Sequence, residues 1–284
     1  MARHLDRRGF LCASAAGALL PAVAGAGESK ARGVRIAHLA DPQFGFGPTK
    51  PEESFERKYS EDLCRFERVI DKVNDLKPDV ALIAGDMTHV PEHLVRDWPR
   101  LLGRFKVPVV AVPGNHDVGI PLLRRHVERF RQVFGRDYAA VDVNGWRLVA
   151  GNSQYWYATD DAPELKRAYG EWLGAELEKA RGYAGRVILA SHISPFAYRF
   201  NEGDSYESCP QKDRGAKLAA YRAAGARFYL AGHMHRMCAR AYGDLTILTA
   251  ETTCGNFDEA PFGFRLFEAG DDFSYTWHAV RVDA

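Results

Sequence analysis

The sequence has almost no excess of charge: 38 Lys and Arg stand against 37 Asp and Glu over 284 residues, a formal net charge of +1. Such balance gives no general pull on nucleic acid or anionic lipid, so no nucleic-acid partner is expected, although a local phosphate site is not excluded. None of the five cysteines forms a C-x-x-C pair, which disfavours a cysteine zinc site. There is no G-x-x-x-x-G-K-[ST] loop, which disfavours ATP-driven transfer. Internal repeats, low-complexity tracts and an evident linker are also missing. Past residue 26 no segment resembles a transmembrane span of roughly 20 apolar residues. The composition, 46% hydrophobic and 26% charged, excludes disorder, and the length fits one large α/β domain or at most two ordinary ones.

The N-terminus reads Asp6-Arg7-Arg8-Gly9-Phe10-Leu11, then an Ala-rich apolar stretch to Ala24, then Ala24-Gly25-Ala26. Paired arginines, a short apolar region and small residues at its end predict a twin-arginine export signal over residues 1–26, with a functional domain over 27–284. The expected location is periplasmic or secreted, with no stable membrane anchor after cleavage. An uncleaved anchor is the alternative, but the apolar run is short for it. Cys64, Cys209, Cys238 and Cys254 remain after the signal. Disulfides are permitted in that compartment, and four cysteines allow three complete pairings. Buried free thiols are an equal alternative, Cys64 lying inside a helical pattern.

The body alternates short apolar runs with helical spacing. Strands are expected at Val34–Ala40, Val80–Ala84, Val107–Val112, Trp146–Ala150, Val187–Ala190 and Arg227–Ala231, with β-rich sequence at Leu245–Ala250, Phe264–Phe267 and Phe273–Val280. Helices are expected at Phe55–Leu76, stopped by Pro78, and at Leu122–Phe134, Glu164–Ala180 and Lys212–Ala224. Glu92–Phe105 also looks helical, with Pro99 arguing for a break. Asp41, Asp86, Asn115-His116, His192 and His233-x-His235 all follow directly on a short apolar strand. Ligands in α/β sheets gather beyond the carboxyl ends of strands, so these groups point to one site.

Carboxylates and imidazoles are the usual ligands of divalent first-row metals, and two ions roughly 3.5–4 Å apart can share a carboxylate. Asp86 suits that bridge, because Gly85 lets the backbone approach closely on a turn straight out of a strand. Taken singly, an Asp after a strand is more often a turn residue, and a lone His is more often structural; His38, His93, His126 and His278 are read that way, and His89 is kept out of the ligand set.

Asp41-Pro42-Gln43, Gly85-Asp86, Gly114-Asn115-His116-Asp117, Ser191-His192 and Gly232-His233-Met234-His235 occur in the order found in calcineurin-like metallophosphoesterases. Phe44-Gly45, Asn152-Ser153-Gln154 and Pro195-Phe196 sharpen the resemblance, which covers most of the chain after residue 33. The chain resembles the subgroup called complete serine/threonine-protein phosphatase 1. The resemblance implies an α/β fold, a four-layer αββα sandwich of two mixed sheets flanked by helices. It implies one metal held by Asp41, Gln43, Asp86 and His235, and another by Asp86, Asn115, His192 and His233. It implies His116 as general acid at the leaving-group oxygen, with Asp117 as its orienting carboxylate. The commoner pattern has His where this chain has Gln43. An amide is a weaker ligand than imidazole, so Mn²⁺ or Mg²⁺ is favoured over Fe or Zn.

The expected reaction is metal-dependent hydrolysis of a phosphate monoester, with phosphoserine or phosphothreonine in protein as the substrate that the subgroup implies. A periplasmic small-molecule phosphodiesterase or nucleotidase is the second reading, and a metal-binding module without catalysis is the third. Arg236 is the candidate phosphate clamp, ahead of Arg199. Gln154–Glu164 and Phe196–Gln211 are the candidate rim loops, although Tyr155, Trp156 and Tyr157 would equally well pack the first of them.

Overall fold

The computed structural model describes residues 33–47 and 54–280; the expected export signal lies outside them. Eleven strands form two mixed sheets. The first contains β1 (Val34–Leu39), β2 (Val80–Ala84), β3 (Val109–Val112), β10 (Gly263–Ala269) and β11 (Phe273–Ala279) in the order β11-β10-β1-β2-β3. Here β1, β2 and β3 are parallel, and β10 and β11 extend the sheet antiparallel. The second contains β4 (Ala139–Val143), β5 (Trp146–Ala150), β6 (Val187–Ser191), β7 (Ala226–Ala231), β8 (Cys238–Tyr242) and β9 (Leu245–Thr249) in the order β4-β5-β6-β7-β9-β8, parallel from β5 through β9 with an antiparallel strand at each edge.

The central strands are rich in apolar residues, β2 and β3 wholly so, because both of their faces are covered. Ile36, Val80, Leu82, Val110 and Val112 of the first sheet meet Leu148, Ile188, Phe228, Leu230 and Leu248 of the second. The alternate residues Ala37, Leu39, Ala81 and Ile83 face outward into helices α1 (Phe55–Leu76), α2 (Leu94–Leu102) and α4 (Arg124–Phe134). Val187, Leu189, Tyr229 and Ile247 face outward on the other side, toward α5 (Pro163–Ala180) and α6 (Gln211–Ala223). The result is the expected helix–sheet–sheet–helix layering.

Local chemistry sets the element ends. Ser54 Oγ accepts from the Arg57 N–H and starts α1. Lys77 closes it in left-handed conformation before Pro78, its N–H returning to the Val73 carbonyl at 3.0 Å. Pro99 does not break α2, contrary to expectation. It leaves unfilled only the bond to the carbonyl of the exposed Val95, while Leu94, Trp98 and Leu101 are buried on the opposite face and outweigh that loss. The basic helix starts at Arg124 rather than Leu122, after a single turn, α3 (Asn115–Val118). Strands β4 and β8 were not expected. Each is the outer arm of a hairpin, β4–β5 turning on Asn144-Gly145, both at positive φ.

Among the described residues the four cysteines are free thiols; Cys209, Cys238 and Cys254 are buried, but Cys64 is exposed on α1. The same residues contain no helix long and apolar enough to cross a membrane. His38 is fully buried, its Nδ1 2.7 Å from the Tyr275 hydroxyl, and His278 stacks on Phe264; both are structural, as expected.

Trp98 links this core to the functional loops. It stacks on Phe44 at 5.6 Å, and its Nε1 donates to the Met87 carbonyl just after Asp86. Trp98→Ala should lower unfolding free energy by about 3–5 kcal/mol in urea titration, the usual cost of truncating a fully buried aromatic.

Candidate metal centre

The loops that follow β1, β2, β3, β6 and β7 meet at the carboxyl end of both sheets, and they carry every expected ligand. Their backbone is unusual. Of the nine non-glycine residues with left-handed φ among those described, five are Asp41, Gln43, Asp86, His233 and His235. Such conformations cost energy for residues with a Cβ and persist only where surrounding structure enforces them. The enforcement is visible: the Gln43 N–H donates to the Asp86 carbonyl at 2.7 Å, and the His233 N–H donates to Asp41 Oδ2 at 2.9 Å.

Each imidazole is anchored by one nitrogen to a main-chain carbonyl. His192 Nδ1 lies 2.8 Å from Ala84 O, His233 Nε2 2.9 Å from Tyr206 O, and His235 Nδ1 2.6 Å from Gly255 O. A carbonyl only accepts, so these ring nitrogens must carry the proton. The second nitrogen of each neutral ring is then a lone pair, and all three lone pairs point inward. His192 Nε2 faces Asn115 Oδ1 at 3.0 Å, His233 Nδ1 at 3.1 Å and Asp86 Oδ2 at 3.4 Å. With the His192 ring neutral these four atoms are all acceptors and none satisfies another; Asp86 Oδ2 alone gains a long bond, from Gln43 Nε2 at 3.4 Å. His235 Nε2 faces Asp41 Oδ1 at 3.6 Å in the same sense. Gln43 Oε1 is buried without a hydrogen-bond partner.

Convergent acceptors without donors fit a cation. Asp86, His192 and His233 each offer a ligand atom within 4.8 Å of the others. Asp86, Asn115, His192 and His233 would hold a divalent metal there. Asp41, Gln43 and His235 gather on the other side of Asp86, with Gln43 Nε2 3.4 Å from Asp86 Oδ2. Charge balance agrees. Burial works against a charged His192, but Asp86 and Asp41 outweigh it and raise its pKa to about 9. Burial and the neighbouring His192 push His233 down to about 3. The pocket thus stabilises added positive charge at one point and rejects it at the next.

The His116 main-chain N–H donates to Asp86 Oδ1 at 2.9 Å. Its ring Nδ1 lies 3.2 Å from the His89 carbonyl, and its ring stacks on the His89 ring. Asp117 does not orient His116, which corrects the sequence expectation. Its carboxylate accepts from the Met87 and Gly114 N–H groups at 2.9 and 2.8 Å, tying the Asp86 loop to the Asn115 loop. The turn of α3 points the two side chains of adjacent residues apart. His89, kept out of the ligand set by sequence, supplies the anchor for His116 through its carbonyl.

Arg236 Nε donates to the Met234 carbonyl, and its guanidinium lies over Phe257; none of its contacts reaches an expected ligand. Arg199 is exposed. In the first expected rim loop, Tyr155 and Trp156 are buried, and the Tyr157 hydroxyl donates to the Ser208 carbonyl, so this loop packs rather than lines. Ser153 Oγ accepts from the Ile193 N–H at 3.0 Å and braces the turn after His192. Sequence reasoning missed Tyr206, Gly255, Phe46 and Phe257. The last two rings pack against His235 at 4.8 Å each. Gly255-Asn256 is a turn signal that would have drawn notice to that segment, but a main-chain carbonyl has no signature of its own.

The model of the calcineurin-like phosphoesterase family matches residues 34–237. The human serine/threonine-protein phosphatase CPPED1 (Homo sapiens) is 28% identical over 242 residues, 80% of this chain and 77% of that protein. Its rat counterpart (Rattus norvegicus) is 27% identical over 241 residues, with the same shares covered. Among solved structures, a dimetal phosphatase from Danio rerio superposes with a TM-score of 0.59 at 15% identity, covering 87% of this chain and 96% of that one. GAP50, described as the anchor in the inner membrane complex of Plasmodium, gives 0.61 at 12%, covering 89% and 86%. At those identities the structures speak for the fold alone.

Close approach tests the site. A Cβ on Gly114 would lie 2.1 Å from Asp86 Oδ1, and one on Gly85, at φ +88°, would lie 2.4 Å from His192 Nδ1. Gly114→Ala must therefore displace Asp86. The expected outcome is metal affinity lower by about tenfold or more, measured by metal analysis after dialysis against graded chelator, with far-ultraviolet circular dichroism unchanged. Undiminished metal retention would show that Asp86 is not a ligand.

Proposed function

Because the chain belongs to the calcineurin-like phosphoesterase family, we propose that it removes phosphate from phosphoserine and phosphothreonine at a two-metal site, outside the cytoplasm. Family membership makes it a metal-dependent phosphate-ester hydrolase. The convergence of lone-pair atoms from Asp86, Asn115 and His233 at 3.0–3.4 Å from His192 Nε2 carries the catalytic reading. The likeness to phosphatases named for serine and threonine supports the substrate class. The paired-arginine start supports export.

Divalent ions, which these residues and Asp41, Gln43 and His235 would hold, would supply Lewis acidity toward phosphoryl oxygens and water. The protein does the rest by position. Asp86 reaches both ligand groups. Three carbonyl-anchored imidazoles hold one tautomer each, so the inward face offers only acceptors. His116 keeps the proton on Nδ1, facing the His89 carbonyl, so the doubly protonated ring has the Nε2 proton to give to the departing alkoxide oxygen and is left neutral. The buried amide oxygen of Gln43, a hard donor, favours Mn²⁺ or Mg²⁺. A second reading, a small-molecule phosphodiesterase or nucleotidase, draws on the export-type start, since small phosphate esters are natural targets outside the cytoplasm.

Metal-stripped protein supplied with Mn²⁺, Mg²⁺, Zn²⁺ or Fe²⁺ singly should release phosphate from a phosphothreonine peptide. Release from p-nitrophenyl phosphate or its bis-ester but not from the peptide would move the substrate to small molecules. Silence with every ion would overturn the catalytic reading. His116→Ala should keep its metal and lose about 100- to 10,000-fold in rate on a poor leaving group, whereas Asp86→Asn should lose both.

A further inference from the structure

We propose that Tyr206 is a positioning residue for one half of the metal centre, holding Asn115 through its hydroxyl and His233 through its main-chain carbonyl. The inference rests on the reading of Asp86, Asn115, His192 and His233 as ligands, and it extends that reading to a loop that carries no ligand.

Asn115 Nδ2 donates to the Tyr206 hydroxyl oxygen at 2.5 Å. The two ends of an amide have nearly the same size but opposite polarity, so a ligand Asn works only if something outside the metal fixes which end faces inward. The Tyr206 hydroxyl takes the NH₂ end, and Oδ1 is left facing His192 Nε2 at 3.0 Å. Three residues of geometry converge here, because the Tyr206 carbonyl also accepts from His233 Nε2 at 2.9 Å, and the Tyr206 ring lies 4.7 Å from the His233 ring. One residue thereby selects the amide orientation of one ligand and the tautomer of another.

Apolar burial does not explain this placement, since Tyr206 is 59% exposed. The loop that carries it is instead pinned by polar groups. Arg214 on α6, fully buried, donates to the carbonyls of Phe200, Glu202 and Cys209 at 2.7, 2.8 and 3.0 Å, and to Ser208 Oγ at 3.2 Å. The Glu202 carboxylate accepts from the N–H groups of Ala197, Tyr198 and Arg199. A buried guanidinium spending its donors on main-chain carbonyls fixes a loop more firmly than surface contacts would. The phenol is therefore presented to Asn115 by a braced loop.

The test is titration of the metal-stripped full chain with Mn²⁺ alone, followed by calorimetry, in the native protein and in Tyr206→Phe. The native protein should take up two equivalents. Tyr206→Phe keeps the main-chain carbonyl and loses only the hydroxyl. It should weaken one equivalent by about tenfold or more and leave the other unchanged, with the midpoint of thermal unfolding in chelator unchanged. Tyr206→Ala should weaken the same equivalent at least as much. Native affinities for both equivalents in Tyr206→Phe would overturn the proposal. So would equal weakening of both together with a lower unfolding midpoint, which would mark general damage. If the native protein takes up no Mn²⁺, the ligand reading itself falls, and the positioning role falls with it.

Discussion

The structure depends on one electrostatic constraint: acceptor atoms of neutral imidazoles, an amide and a carboxylate packed face to face in a buried pocket, where the Gln43 amide reaches Asp86 Oδ2 with an N–H at 3.4 Å. Asn115 Oδ1, His192 Nε2, His233 Nδ1 and Asp86 Oδ2 would repel one another if left to themselves. Burial strengthens that repulsion, because little solvent remains to screen it. A folded chain tolerates such an arrangement only when positive charge compensates it. The rise of His192 toward about 9 is the same demand met by a proton. A divalent ion meets it with more charge and at several ligands at once.

The rest of the architecture can be understood as holding those atoms against their repulsion. Two sheets end on the same side, so five loops from distant parts of the chain arrive at one place. The strands beneath pack apolar side chains on both faces and anchor the loops. The loops themselves are strained: five ligand positions lie in left-handed backbone. The strain is offset by short-range bonds such as Gln43 N–H to Asp86 O, and by the Asp117 carboxylate, which clasps two loops at once. Stability is thus spent at the site and recovered in the core, the division expected of preorganised centres.

Much of this was legible in the amino-acid sequence, for definable reasons. Strands buried on both faces are nearly unbroken apolar runs, so VALIA at 80–84, and WRLVA at 146–150 despite Arg147, are marked in the sequence at their true bounds. The expected ligands are side chains at strand ends, so Asp86 and His192 stand out by type and position. The edge strands β4 and β8 are half exposed and mixed in character, which hides them. Pro99 misleads because tertiary burial of Trp98 and Leu101 overrides the local cost. Asp117 misleads because adjacency in sequence, on a helical turn, means divergence in space. The partners that orient the ligands are the least visible of all. Ala84, Tyr206 and Gly255 act through carbonyls that every residue owns, and only folding decides which carbonyl is near which ring.

That distinction also separates the two halves of the centre. The half formed by Asp86, Asn115, His192 and His233 has two imidazoles, each fixed by a carbonyl, and an amide fixed by a phenol. The half formed by Asp41, Gln43 and His235 has one fixed imidazole and an amide whose oxygen has no partner. Preorganised ligands lose little freedom on binding, and the Gln43 amide, held through Nε2 by a long 3.4 Å bond to Asp86 Oδ2, is the less firmly held of the two amides. If these residues hold the ions, the first half is the better preorganised of the two. Asp86 belongs to both halves, so charge placed in one lowers the negative field that the other feels.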